Sequence, residues 1–173
     1  AILSRSPQKN AQIPSFQWDI DKGYIDPNAL TYAEAIIHLA GEGIADKRWT
    51  IDQKKKIIDS RVEPLRLLGK HVANNGIKPA VLVSASAIGL YGGERGEEKL
   101  TENSAPGTDF LADCTVKWEN AASFLETNRT VHIRVGVVLS KEGGALPKLA
   151  APIKWGVGAA LGSGQQWMSW IHI

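Results

Sequence analysis

Apolar positions along the chain alternate between two patterns, short continuous runs and a longer stripe at helical spacing. Runs at Ala1-Ile2-Leu3, Phe16-Gln17-Trp18 and Ala35-Ile36-Ile37-His38-Leu39-Ala40 read as strands, the last of them buried and ended by Gly41 and Gly43. Pro27 to Ala33 reads as a short helix, because proline suits a first helical turn. From Thr50 the period changes: Ile51, Lys55, Ile58, Val62, Leu65, Leu68 and Val72 recur every three or four residues. Thr50 supplies an N-cap and Asn75-Gly76 a stop, while Pro64 predicts a kink or a division into two helices. A strand at 80–84 follows, closing a strand–helix–strand crossover. Residues 93–109 are glycine-rich and charged, an excursion over the sheet edge. Asp109 then opens a helical pattern through Phe110, Cys114, Trp118, Ala121, Ala122 and Leu125. Strands are expected at Val131–Val135 and Val137–Leu139, then a short helix within 145–155 limited by Pro147 and Pro152. The alternation predicts a mostly parallel α/β sheet.

The stretch PAVLVSASAIGLYG, residues 79–92, carries the candidate chemistry. A buried strand that delivers Ser84 and Ser86, then glycines and Tyr91, to its carboxyl end is how an open parallel sheet presents a site. Ser4 and Arg5, just past the first strand, read by themselves first as a surface turn, though they have the chemistry to hold a phosphate. Trp155, Trp167 and Trp170 are expected to pack, in the core or against a cofactor or partner.

Composition narrows the function classes. The chain has 173 residues, a net charge of +2 and ordinary hydrophobic content, so nothing recommends nucleic acid as a partner. Lys54-Lys55-Lys56 lies in a helical pattern beside Asp52 and Asp59 and reads as a solvated face. A single cysteine, Cys114, excludes an internal disulfide framework and a cysteine-based metal cluster, and no metal is expected. No apolar run approaches a membrane span, and the default compartment is cytoplasmic. Both ends fall in apolar stretches, so a longer polypeptide is expected.

The segments LAGEGIADKRWT (39–50), DSRVEPLRLL (59–68), VLVSASAIGLYG (81–92), DFLADCTVKWENAA (109–122), IRVGVVLSKEGGAL (133–146) and LGSGQQWMSWIHI (161–173) resemble the atypical, extended short-chain dehydrogenase/reductase family, in its sugar-nucleotide-epimerase-like branch. The resemblance implies a doubly wound Rossmann-type sheet over residues 1–140 and part of a substrate-binding region over 141–173. It implies an NADP cofactor, NADPH in preference to NADH, and a small-molecule substrate, with a homodimer left open. Ser4 and Arg5 match the adenosine 2′-phosphate position and Asp19 the adenine contact. Leu39, Ala40 and Gly41 line the cofactor, and Ser84 and Ala85 lie beside the nicotinamide. Ser86 aligns with the catalytic serine or threonine, and Arg134, Val135 and Gly136 with the segment that touches the nicotinamide.

Two departures from the family pattern matter. The Gly-rich pyrophosphate loop and its strand, which would lie between the strands at 1–3 and 35–40, are absent; that would leave a split sheet with unpaired backbone, so the absence reads as truncation of a longer sequence. The usual Y-x-x-x-K pair is replaced by Cys114 and Trp118 in CTVKW, and Lys117 is one residue off. Cys114 reads as helix packing. Tyr91 becomes the substitute acid beside Ser86 as the donor to the substrate oxygen, provided that a positive neighbour or the cofactor supports the phenol. The expected function is that of an NADP-dependent oxidoreductase or epimerase-like protein. The rival is a cofactor-binding sensor or structural protein without catalysis.

Overall fold

A computed structural model describes residues 1–8, 12–31, 33–160 and 162–173. Tyr32, inside the expected short helix, and Leu161, which opens the last resembling segment, lie outside the described residues.

The described strands form three sheets. In the first, β1 (Ile2–Ser4) pairs in parallel with β2 (Ser15–Asp19), which turns through Gly23 into the antiparallel β3 (Tyr24–Ile25). The second is wholly parallel, in the order β4 (Ala35–His38), β5 (Val81–Ala87), β6 (Arg129–Val135). In the third, β7 (Val137–Leu139) pairs in parallel with β8 (Trp170–His172). β1 and β4 are edges of separate sheets, as the split-sheet expectation requires. Between them runs a groove of about 910 Å³ lined by Ile2, Leu3, Phe16, Ile36, Ile37 and Leu39 among others.

Helix α1 (Ile51–Asn74) crosses from β4 to β5, and α2 (Phe110–Ala121) connects β5 to β6. Their caps follow the sequence: the Thr50 hydroxyl accepts from Gln53 N at 3.2 Å, and the Asp109 carboxylate accepts from Ala112 N at 2.9 Å. Asn75 ends α1, and Gly76 takes the left-handed conformation at φ +64. The core joins both helices to the sheets through Leu65, Leu68, Val72, Leu82, Trp118 and Leu125. Gly69 lets α1 pass close to the Ala122–Phe124 turn, where a Cβ would stand 2.0 Å from the Phe124 carbonyl oxygen.

Several expectations are corrected. Pro64 does not divide α1, which is one helix of 24 residues with Pro64 among its buried positions. Packing of that face outweighs the loss of a single N–H donor. The apolar stripe is also displaced in the first turns: Ile57, not Ile58, is fully buried, and Ile51 points to solvent. The described part of Pro27–Ala33 forms turns, with Ala29 N donating to Asp26 O and Ala33 N to Leu30 O, and no helix. β4 is buried on one face only, since Ile36 and His38 are buried while Ile37 is 68% exposed. β5 runs through both serines to Ala87 rather than stopping at residue 84. Trp155, Trp167 and Trp170 do not pack in the core; all three are exposed, and α3 (Ala145–Lys154) buries no residue. The lysine run is solvated as expected, with Lys55 paired to Asp59 and Lys54 over the Phe110 ring.

Candidate active site

Parallel pairing sets the site. The β5–β6 register places Ser86 opposite Arg134, and on neighbouring strands paired residues leave the sheet on the same face. Leu82, Ser84 and Ser86 are the buried alternate positions of β5. Helix α2 packs over this end of β5 and brings Glu119 to both side chains. Ser86 Oγ donates to Glu119 Oε1 at 2.5 Å. Arg134 grips the same carboxylate with two bonds, Nε to Oε1 at 2.8 Å and Nη2 to Oε2 at 2.9 Å. Its remaining nitrogen, Nη1, donates to Tyr91 Oη at 3.0 Å and to the Glu102 carbonyl at 2.9 Å. The guanidinium carbon lies 5.5 Å from the centre of the Tyr91 ring.

Tyr91 stands here because β5 runs directly into a single 3-10 turn, Ile88–Tyr91. Behind it the chain closes on itself: Gly107 N donates to Leu90 O, and Gly92 and Gly107 touch so closely that a Cβ on Gly107 would meet Gly92 Cα at 2.5 Å. The 93–106 excursion thus leaves and returns through one neck. Arg95 braces it from within, binding Glu98 and the carbonyls of Tyr91 and Ala105.

The electrostatics of the cluster are balanced. Burial raises the Glu119 pKa, but the hydrogen bonds from Arg134 and Ser86 outweigh it, so the carboxyl is held below its usual range. The Arg134 pKa is raised, chiefly by its hydrogen bonds to Glu119. Tyr91 Oη accepts from Arg134, and no described residue takes the Tyr91 proton. Ser86 differs: its proton is given to Glu119, which leaves the serine's lone pairs as its free polar face.

A second buried cluster underlies the loop after β4. Glu42 N donates to Ser60 Oγ at 2.9 Å, and Arg61 Nη2 donates to the Glu42 carbonyl at 3.0 Å, so α1 pins the Gly41–Gly43 turn. Arg61 lies over the Trp118 ring at 5.0 Å, and His38 meets Trp118 edge-on with ring centroids 6.5 Å apart. Both His38 ring nitrogens and Trp118 Nε1 are buried without a hydrogen-bond partner. Burial first, and the Arg61 charge second, lower the His38 pKa to about 4. An unfolded histidine takes a proton near pH 6.5, so the unfolded state binds more protons between about 6.5 and 4. Stability is therefore whole above that window and falls as pH drops through it, by up to roughly 3 kcal/mol. Urea unfolding across pH 4–7 is expected to show this slope in the natural protein and a flatter one in His38→Leu; equal slopes would refute it.

Cys114 and Trp118 are both buried, at 4% and 7% exposure, and Cys114 packs as expected, its thiol pKa raised by burial. Lys117 points away and pairs with Asp113 at 2.6 Å. Among the other expected cofactor residues, Leu39 is exposed, with Ala40 and Gly41 following it. Ser84 is fully buried, its hydroxyl bonded to the Ala85 carbonyl at 3.1 Å. Arg5 is exposed and pairs with no carboxylate among the described residues, while Ser4 Oγ accepts from Ser6 N. The Asp19 carboxylate is taken by the Lys22 turn, accepting Lys22 N at 3.0 Å, and sits below its usual pKa for that reason. At Gly136 the backbone of Ser169 passes so close that a Cβ would stand 2.8 Å from its oxygen. The side chain of Arg134 is spent on Glu119, Tyr91 and Glu102, which leaves its main chain beside Val135 and Gly136 for any cofactor contact.

No family model matches the chain. An epimerase family protein of Mycobacterium bovis is 39% identical over 174 residues, covering 99% of this chain and 56% of its own length. Over nearly its whole length the chain is homologous to epimerase family proteins. It spans about half the length of the curated relative it matches. Among solved structures, the human epimerase family protein SDR39U1, determined with NADPH, superposes with a TM-score of 0.77 at 30% identity, over 98% of this chain and 56% of that one. A nucleoside-diphosphate sugar epimerase of Corynebacterium glutamicum gives 0.75 at 35% identity, over 98% of this chain and 34% of that one. The α/β arrangement of this chain is accordingly of the Rossmann type. No described helix is long and apolar enough to cross a membrane, and the described residues include no group of three or more metal-ligating side chains.

Sequence reasoning missed Glu119 and Arg61. Glu119 carried a signal: it follows the apolar Trp118 and sits four residues after Thr115, on the buried side of α2, where a carboxylate needs a partner. Arg61 lay within the apolar stripe of α1 without a visible counterpart, because its partners are backbone carbonyls, Ile57 O one turn back and Glu42 O 19 residues away.

Proposed function

We propose that the protein is an NADP-dependent oxidoreductase or epimerase-like enzyme acting on an uncharged carbonyl or hydroxyl group. The carrying observation is the Ser86–Glu119–Arg134–Tyr91 network at the carboxyl end of the parallel sheet. There Tyr91 keeps a free proton beside a fixed cation. Ser4 and Arg5 are assigned to the adenosine 2′-phosphate, and the unpaired, exposed Arg5 fits a dianionic group. Asp19 is assigned to the adenine end, Leu39, Ala40 and Gly41 to the cofactor's middle, and Ser84, Ala85, Val135 and Gly136 to the nicotinamide end. Bound there, the nicotinamide supplies hydride chemistry. Tyr91 offers its proton to a substrate oxygen, and Ser86, its own proton engaged by Glu119, accepts from a substrate hydroxyl. With Arg134 neutralised by Glu119, the reacting end attracts no carboxylate, hence the uncharged group.

Residues 1–140 form the dinucleotide-binding part in this reading, and 141–173 belong to the substrate region. That region touches the loop after β4 through Lys148 on the Ala45 carbonyl at 2.6 Å and the 93–106 excursion through Trp167 on Glu97 at 3.2 Å. Buried Cys114 and Trp118 at the usual acid and lysine positions favour the second reading, a cofactor-binding protein without catalysis.

Titration calorimetry of the full-length protein with each cofactor tests the assignment. NADPH is expected to bind more tightly than NADH, and Arg5→Ala to lose roughly tenfold in NADPH affinity while sparing NADH, about the value of one exposed charge-assisted contact. Equal affinities in the natural protein would sink it.

A further inference from the structure

We propose that Glu119 is a positioning residue that holds the reacting hydroxyls and the 93–106 loop as one unit, through Ser86 directly and through Arg134 to Tyr91 and Glu102. The inference rests on the reading that Ser86 and Tyr91 face the substrate. Glu119 is 14% exposed at its side chain and accepts three hydrogen bonds, one from Ser86 and two from Arg134. A bidentate grip fixes the plane of a guanidinium, which a single contact does not. With Nε and Nη2 committed to the carboxylate, the orientation of Nη1 is fixed, and its two N–H groups reach Tyr91 Oη and the Glu102 carbonyl. Glu102 lies deep in the excursion, whose neck is closed at Gly92 and Gly107. Neck and carbonyl together tie the loop at both of its levels. Releasing Glu119 therefore frees Arg134 to rotate, and the loop and the phenol lose their reference together. The Ser86 proton also loses its acceptor, so Ser86 changes from acceptor to donor towards the substrate.

Hydrogen exchange of the full-length protein, read at residues 94–106 with α1 as internal control, tests this. Glu119→Gln keeps the size of the side chain but replaces one acceptor oxygen by a donor and removes the charge. Loop amides are expected to exchange about tenfold faster with α1 unchanged, since loops open locally without global unfolding. Glu119→Asp, which retains the carboxylate, is expected to recover part of the protection. NADPH affinity is expected to stay within about twofold, and on a confirmed substrate kcat to fall with KM held, the pattern of lost transition-state placement. Should Glu119→Gln fail to fold, Arg134→Lys serves. It keeps the charge but not the fork, and the loop is expected to loosen likewise. Unchanged loop exchange in either folded variant overturns the proposal. Failure of the natural protein to bind NADPH would remove the functional reading and leave the loop result standing, so the two failures are distinguishable.

Discussion

Tyr91→Phe is expected to lower turnover by about a hundredfold, the usual scale for loss of a positioned proton donor, with NADPH affinity unchanged. The Tyr91 hydroxyl is the one group in the cluster whose proton is not already held by a described partner, while its oxygen is fixed at 3.0 Å from Arg134 Nη1. Phenylalanine keeps the ring beside the guanidinium and removes the hydroxyl, both its free proton and the oxygen that accepts from Arg134 Nη1. Ser86→Ala is expected to act in the same direction with a smaller loss, because its hydroxyl contributes acceptance and keeps Glu119 in place. Cys114→Ser serves as the control, since that thiol is buried in helix packing and is expected to change stability more than rate. The assay follows nicotinamide absorbance with a substrate found by screening carbonyl compounds and nucleotide sugars, and product analysis reports any inversion. Unchanged turnover in both the Tyr91 and Ser86 variants would remove these two residues from the chemistry.

Arg134→Leu is expected to destabilise the protein by roughly 3 kcal/mol, because it leaves the Glu119 carboxylate shielded from water without its cation. The bond is bidentate and both side chains are largely buried, at 22% and 14% exposure, which sets it apart from surface pairs such as Lys78–Glu126. Adding Glu119→Leu to that variant is expected to return part of the loss, as an apolar pair has no stranded charge. The pH dependence has a definite sign. Glu119 has a lowered pKa in the folded state, so its contribution is present above the unfolded carboxyl value and is lost as pH falls through the folded one. The difference between natural protein and Arg134→Leu is thus expected to narrow in acid, as judged from denaturant midpoints. A constant difference down to that range would contradict it.

How far the sequence reaches is visible in particular elements. Caps were legible because they are local: Thr50 and Asp109 start α1 and α2 where side-chain chemistry demands, and Gly76 follows the end of α1. The strand–helix alternation revealed the class of fold for the same reason. The exposed Ile51 and the unbroken passage through Pro64 were not legible, since each depends on what packs against α1 from elsewhere in the chain. Exposure of Trp155, Trp167 and Trp170 likewise reflects tertiary placement that composition does not encode. Of the candidate site, Ser86 and Tyr91 were legible as a strand and the turn after it. Their tie to Arg134 depends on the β5–β6 register, and Glu119 depends on how α2 sits over the sheet. Neither follows from spacing along the chain.

The proposed function puts a nicotinamide at the carboxyl end of β5, open to Ser86 and Tyr91. A crystal structure of the full-length protein with NADPH tests it most directly. The account requires the nicotinamide ring beside Ser84, Ala85 and Gly136, with clear space between its reactive carbon and Tyr91 Oη, and the 2′-phosphate on Arg5. A nicotinamide end closed off by Trp118 or by the 155–173 segment, or a ring bound away from Tyr91, would contradict it and leave the non-catalytic reading in its place.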